Sequence, residues 1–510
     1  IISDVKNYKS SNIPDTKNPI FKIDEMRYQA SEAEGYMNDM SSRVIDKMEK
    51  VNITHEDLGM YLFLRRVVNE RSELANPRGF DLASATKRMG EMEARNPMLS
   101  EIANEYWNIR KEWVIDRLEQ TNMYPKHLMD KLKDNDAYAK FDVVEYFDSH
   151  FGPGTGGRIF GQVGTLKDIA NPFTSTMLND MMLMRAASQN IALHTTIDFY
   201  RTASKTDPSV FAFEPAKKRF TGKFNEFLES SNPEMKLITI MRNGKMEGYY
   251  LNKYVAEAFE KNPLDGNAVI NATRTFNNLI RTVLTDVNPG FWMVNMIRDY
   301  NRTVKNLPAT GADKYIPFAQ HLKYFKYWRE GFKPALRSVY GVPDAVIKEM
   351  YKNNELISIE ERGNDFKADT EAERLLKRHH QKPHVWEKEI TMPLKWLYRH
   401  MTNMGQAIER QNKVGAHLYI KEKFPEMSKE MQGHMIRVQA GSPAFLRKGT
   451  GNPVVNNIFM FSNAMKEGWR GDLEVMKDRP GEYMYKTMQN NIVPKMLMYG
   501  MATGMFGDET

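Results

Sequence analysis

Most of the chain repeats its apolar residues at steps of three and four, the spacing of one face of an α-helix. Ser31–Lys133 follows this pattern. Tyr61, Leu62, Leu64 and Val67 lie near Arg65, Arg66 and Arg71, and Trp107, Trp113, Ile115 and Leu118 supply core candidates for the next helix. Asn76-Pro77 and Asn96-Pro97 mark breaks or new helix starts. A further helix starts at Asn171-Pro172 and runs to about Tyr200. Its recurring face is Met177, Asp180, Met181, Met184, Ala187 and Ile191, with Asp180 the polar exception. From Asp265 the helical pattern returns: Phe276, Leu279, Ile280, Val283 and Leu284 run into Asn288. Leu394–Phe424 reads as the last long helix, with Trp396, Leu397, Met401, Met404 and Ile408 on one side and Glu409, Arg410 and Asn412 after them. Asn452-Pro453 opens another, holding Ile458, Phe459, Phe461, Met465 and Trp469.

The pattern changes period once with clarity. Leu237–Leu251 places strand-forming Ile238, Ile240, Tyr249 and Tyr250 on either side of Asn243-Gly244, and that pair suits the two positive-φ positions of a type I′ turn. A lone hairpin is marginal in water, so this one must pack on helices or a partner. Val255–Phe259 should form a short helix after it, and Phe141–Phe147 suits a short strand. Residues 1–30 are polar and broken by Pro14 and Pro19, which predicts an extended arm. The expected fold is mainly α and multi-helical, with this one hairpin (about 237–251) and that arm. Four regions follow: the arm, a helical region 31–135, a region 136–264 with a Gly-rich loop, long helix and hairpin, and a helical domain 265–510.

The segment around which the last region is organised is Asn288–Asn306. Asn288 suits a helix N-cap and Pro289 the first helical position; Pro308 stops the run. One face carries Met293, Met296, Ile297, Tyr300 and Val304, the opposite one Asn295, Arg298, Asp299, Arg302 and Asn306. The simpler reading is a solvated polar face. The sharper one is a structural polar network of Asn288, Asn295, Arg298, Asp299 and Arg302 bonded to a second helix, with Asp299 pairing Asn295, Arg302 or residues across an interface.

Composition adds limits. The 510 residues are 41% hydrophobic and 27% charged, with a formal charge of +7, too mild to imply a polyanion as partner. There is no cysteine, which excludes disulfides and cysteine-ligated metal sites. Methionine is abundant, at 35 residues, and a Met-rich core tolerates repacking. The chain opens Ile1-Ile2, as a fragment, a processed product or the ordered part of something longer would. Lys6 and Lys9 interrupt any apolar run there, so no signal peptide is read. No apolar run reaches the roughly 20 residues of a membrane span.

Candidate chemistry is sparse. His150–Gly164 is Gly-rich, but no Gly-Lys-Ser/Thr follows, so the phosphate-loop reading fails; Gly156-Gly157-Arg158 retains the makings of an anion grip, and a connecting loop is the simpler reading. His379, His380 and His384 have no carboxylate in register and read as part of a charged linker, so no metal site is assigned. Catalytic signatures for zinc proteases, serine hydrolases and kinases are absent, and no cofactor is implied. His321–Phe332 interleaves aromatics and cations: Lys323, Tyr324, Lys326, Tyr327 and Arg329 are candidate nucleic-acid contacts by stacking and phosphate binding, or else a helix interface with snorkelling stems. Near the end, Met496, Leu497, Met498, Tyr499 and Phe506 mark an apolar segment with Lys495 its one charge. Its cover is the protein's own core, a neighbouring subunit or a membrane.

NPGFWMVNMIRD, Asn288–Asp299, resembles a signature of the helical domain carried by large polyvalent proteins of tailed bacteriophages. The order supports the likeness: the Asn171-Pro172 helix, the Asn243-Gly244 hairpin, the opening motif, Glu409-Arg410, then Phe461-Ser462-Asn463-Ala464. It covers 265–510 best and extends from 136. The resemblance implies a virion protein, internal or ejected with the genome. Its partners would be other virion proteins, it would be oligomeric in the particle and found in the virion or, after ejection, the host cell, with DNA contact and transient membrane contact as further options. No catalytic residue carries over. The chain is thus expected to be a non-enzymatic structural component acting in assembly and genome delivery. A nucleic-acid-binding module organising packaged DNA and an enzyme with an unrecognised site are the alternatives.

Overall fold

The computed structural model describes residues 5, 13–69, 78–134, 171–206, 214–220, 225–259, 288–356, 385–443 and 462–502. The fold is mainly α, with small antiparallel sheets, and the chain divides into two compact units, Ile1–Glu260 with Asp365–Lys382 and Lys261–Asn364 with Pro383–Thr510. The expected strand at 141–147, the glycine loop, the helix through 276–284, the three histidines, the helix start at Asn452-Pro453 and Phe506 lie outside the described residues.

Among the described residues of the first unit the longer helices are α1 (Pro19–Arg27), α2 (Gln29–Asp39), α3 (His55–Asn69), α4 (Leu82–Arg95), α5 (Met98–Arg110), α6 (Lys126–Asp134) and α7 (Pro172–Thr206). The expected extended arm is thus partly wrong. Asn18 Oδ1 accepts from Ile20 N at 3.0 Å and Pro19 takes the first helical position, so the Asn-Pro pair starts a helix that buries Phe21 and Ile23. The same device starts α7, where Asn171 Oδ1 accepts from Phe173 N at 2.9 Å. α7 is the spine of the unit. Met177, Met181, Met184 and Ala187 are buried on it, and so is Asp180. A buried carboxylate needs a partner. Arg110 supplies it, with Nε 2.6 Å from Oδ2 and a second guanidinium nitrogen 2.9 Å from Oδ1, while Tyr36 Oη donates to Oδ2 at 3.0 Å. Burial and the Asp180 charge raise the Tyr36 hydroxyl well above its ordinary pKa, so it stays a donor.

The sheet of this unit has the order β1 (Glu214–Pro215), β5 (Lys245–Asn252), β4 (Met235–Arg242); β2 (Lys218–Phe220) and β3 (Asn225–Phe227) pair separately. Ile238 stands opposite Tyr249 in the hairpin register. Asn243 and Gly244 have φ of 49° and 77°, the positive values a type I′ turn requires. The hairpin packs its Ile238, Ile240, Tyr249 and Leu251 against Ile197 and Tyr200 of α7. Its tip is held too: Asn243 N and Gly244 N donate to Asn122 O and Met123 O at 2.7 and 2.8 Å. Strand β4 is an edge, and α7 covers part of it. The Asn190 carboxamide accepts from Met241 N at 2.9 Å and donates to Met241 O at 3.0 Å, as a neighbouring strand would.

The second unit contains α8 (Pro289–Asn306), α9 (Ala319–Val339), α10 (Ala345–Lys352), α11 (Val385–Lys423), α12 (Lys429–Val438), α13 (Ser462–Asp478) and α14 (Pro480–Thr487), which a π-helical turn, Met488–Ile492, joins to α15 (Val493–Ala502). Helices α9 and α11 cross at glycines: a Cβ on Gly331 would stand 2.8 Å from the Gly415 nitrogen. Helix α8 also packs on α11, with Trp292 against Gly405.

Candidate functional site

Helix α8 starts as its sequence predicts. Asn288 Oδ1 accepts from Gly290 N and Phe291 N at 3.0 and 3.3 Å. The polar side turns inward against other helices, as the network reading expects and the simpler reading of a solvated face does not. Met293 and Ile297 are exposed, whereas Asp299 is 3% exposed and Thr303, Lys305 and Asn306 are buried with Val304. The reason lies in what the polar side meets.

It meets the C-terminus of α12. The last carbonyls of a helix have no donors within it. Arg302 donates to Val438 O at 2.8 Å and Gly441 O at 2.7 Å, and Lys413 Nζ, from α11, to Ile436 O at 3.3 Å and Arg437 O at 3.4 Å. Thr303 Oγ1 accepts from Gly441 N at 2.8 Å, and Gly441 takes the left-handed φ of 61° common just past a helix end. Cations are favoured at this end of the helix dipole.

The arrangement recurs. Arg437 donates to Asn353 O and Asn354 O past the end of α10, at 3.2 and 3.3 Å. Arg479 and Lys486 donate to Asn306 O and Leu307 O at the end of α8, at 2.6 and 2.7 Å. Carboxylates balance these cations. Asp299 accepts from Arg298 at 2.8 and 3.0 Å, Glu482 from Lys486 at 2.5 Å and Ala309 N at 2.8 Å, and Asp472 from Lys305 at 2.7 Å. The buried pair of His417 Nδ1 and Glu355 Oε2 is 2.7 Å apart.

Burial sets the electrostatics. It lowers the Lys413 ammonium to about 7, with Arg302 and Arg437 adding repulsion and Asp299 and Glu355 opposing. Lys486 is pushed down to about 8 by burial, against the pull of Glu482. Burial raises the Asp299 carboxyl, and Arg298, Arg302 and Lys413 work against that rise. For His417 burial acts downward, but Glu355 outweighs it and the pKa ends raised.

Of the expected polar network, the structure brings Arg298, Asp299 and Arg302 together with α11 and α12. Asn288 serves as the N-cap at the other end of α8, and Asn295 is half-buried and joins none of these contacts among the described residues. Asp299 pairs with its chain neighbour Arg298, not with Asn295. Lys413, Arg437, Arg479 and Lys486 were missed by sequence reasoning. A cation inside the apolar repeat of a long helix, as at Lys413, is the signal that would have found one of them.

The nucleic-acid candidates separate. Tyr324 and Tyr327 are buried, Tyr324 donating to Asn412 O at 2.9 Å, so neither offers a face for stacking on a base. Lys323 pairs with Asp313, Lys326 lies 3.7 Å from Glu422, and Arg329 is exposed. The helix runs its tyrosines inward because α11 lies there, with Tyr419 edge-on to both rings. Near the start of the same helix a cavity of about 10 Å³ is lined by Gln320, His321, Lys486, Gln489 and Asn490, among others. Gln320 Oε1, Gln489 Nε2 and Asn490 Nδ2 are buried without a hydrogen-bond partner in the protein.

Of the C-terminal candidates, the three whose side chains are described are not in a core. Met496, Met498 and Tyr499 are 66%, 69% and 64% exposed, and Leu497 belongs to the same helix. Among the described residues no three His, Asp or Glu side chains are grouped to hold a metal ion. The described residues thus form a mainly helical protein in which buried and half-buried cations close helix ends. No family model, no curated protein and no solved structure matches the chain.

Proposed function

We propose that the chain is a non-enzymatic structural component of a bacteriophage virion, an internal or ejected protein that acts in particle assembly and genome delivery. The observation that carries the assembly role is the apolar surface of α13–α15, where Met465, Trp469, Met484, Met496 and Met498 are each about two-thirds exposed. Apolar side chains gathered on consecutive helices call for cover by something else. The use of the buried and half-buried cations agrees with a building role: Arg302, Lys413, Arg437, Arg479 and Lys486 all donate to main-chain carbonyls at helix ends. The phage setting rests on the resemblance of Asn288–Asp299 and the motifs in order around it. The test is mass spectrometry of purified particles, with imaging to locate the chain. It should be present at a fixed copy number inside the particle, and its absence from particles purified free of cell debris overturns the proposal.

A further inference from the structure

The charged residues of α13–α15 sort by sign. Four of the five carboxylates between 462 and 502 turn inward: Glu467 and Glu482 are buried, Asp472 accepts from Lys305, and Glu474 lies 3.0 Å from His434. Asp478 alone is exposed. The cations do the opposite. Lys486 is buried and Arg479 is drawn in to Asn306 O, but Lys466, Arg470, Lys477 and Lys495 are exposed. Arg470 donates to the buried Glu467 at 2.7 Å and Lys466 stands 3.9 Å from it, so the outward side carries two cations held by that carboxylate, together with Lys477, Lys495 and the exposed Asp478, among large apolar groups.

Their placement is ordered. On α13, Met465, Trp469, Leu473 and Met476 are exposed at steps of four, four and three, which is one narrow stripe. At about 100° per residue, Lys466, Arg470 and Lys477 fall along one flank of it, roughly 100–140° from Met465. Met484, Met488 and Ile492 continue exposed through α14 and the π-helical turn, and Met496 and Tyr499 follow around Lys495.

We infer that this face docks on an anionic lipid surface, its apolar stripe entering the headgroup boundary and its lysines and arginine meeting lipid phosphates. An amphipathic helix with Trp and Leu on one side and cations alongside has the composition for lying in that plane. Charge decides against a second copy, because a two-fold pairing of the same face would set Lys466, Arg470 and Lys477 near their own counterparts. No helix of the described residues is long and apolar enough to cross a membrane, so the contact is with the surface of the bilayer. The inference deepens the proposed role by naming what covers this face.

The test is flotation of the full chain with vesicles of phosphatidylcholine alone and of phosphatidylcholine mixed with phosphatidylglycerol. Binding is expected to the mixed vesicles, to fall as salt rises, and to weaken about tenfold or more in a Lys477→Glu, Lys495→Glu variant, since each basic residue near such a surface counts. Trp469→Ser should weaken binding by about tenfold and remove a component of quenching by bromine-labelled acyl chains, with Trp469→Phe restoring the binding. All three positions are exposed, and circular dichroism verifies that the variants fold. Equal binding to both vesicles, no binding, or a dimer that Trp469→Ser dissolves while vesicles stay empty each overturns the inference. A chain found in particles that ignores vesicles discards this inference alone. Vesicle binding by a chain absent from particles discards only the virion reading.

Discussion

Replacing Lys413 with methionine tests the cation-capped core directly. The substitution keeps the length of the side chain and removes its donors and its charge. In the unfolded chain the ammonium titrates at about 10.5, and in the folded core at about 7. Between those values the unfolded state binds more protons, so stability should rise with pH across that window. At about 1.4 kcal/mol per unit, the shift sets an upper bound near 5 kcal/mol. A neutral amine still has two hydrogens, one each for Ile436 O and Arg437 O, so deprotonation retains the caps and removes the buried charge. Methionine loses both bonds, which are long, at 3.3 and 3.4 Å, and the cost should sit low in the range, about 2–3 kcal/mol for the pair. At pH 7 that loss is set against relief from burying an ammonium, and exchanges of this kind are often near neutral.

Lys413→Met should therefore stand within about 2 kcal/mol of the natural chain at pH 7 and be about 2–3 kcal/mol less stable at pH 10. Urea titrations at the two pH values, followed by circular dichroism, give the comparison. Lys486 moves the natural chain in the same direction, since its pKa is also lowered. His417 moves it the other way, because a raised histidine stabilises below about 6.5 and that gain is lost as pH rises through its folded value. Both persist in the variant, so the difference between the two proteins isolates Lys413. The same stability loss at pH 7 and pH 10 would refute the reasoning.

Asp299→Ala should cost about 1–3 kcal/mol, and much less in a chain that already carries Lys413→Met, since the carboxylate then has one buried cation fewer to offset; a double-mutant cycle measures this. Arg110→Met should cost about 3–5 kcal/mol by stranding Asp180, and adding Asp180→Leu should recover a large part of it in thermal unfolding. Gly415→Ala should cost about 1–3 kcal/mol, because its Cβ would meet the Trp328 backbone at 2.9 Å, and crystallography of the variant should find α9 and α11 further apart. Asn190→Ala should leave the bulk fold intact yet speed exchange of the Met241 amide, read by hydrogen-exchange mass spectrometry, because the Met241 N–H loses its acceptor while His194 Nε2 still holds Met241 O at 2.8 Å.

Local chemistry was what the amino-acid order displayed best. Asn171-Pro172 and Asn288-Pro289 start helices because a side-chain acceptor and a fixed φ act within three residues, and Asn243-Gly244 turns a hairpin for similarly local reasons. The same rule applied to Asn18-Pro19 would have found α1, where reading the prolines only as breakers predicted an arm. Asp180 stood out as a polar residue on an apolar face, but its partner Arg110 is 70 residues earlier and nothing local points to it.

The inward turn of α8 shows why the candidate site was harder to read than the helix that carries it. Amphipathic pattern assigns the polar side to water because water is the usual partner for polar groups. Here the partner is the end of another helix, whose bare carbonyls solvate Arg302 as water would. Which helix end arrives there depends on residues more than 130 positions later, so the pattern within 289–306 describes the helix correctly and leaves its orientation open between water and a second helix. The exposed Met293 and Ile297 are the other half of that trade, since turning Asp299 and Thr303 inward turns them out. The same argument runs through 462–502. There Asp472, Glu482 and Glu474 face inward to Lys305, Lys486 and His434, and what is left outside is mostly cationic and apolar. In this chain, a polar residue on a helix is as informative about the next helix end as about solvent.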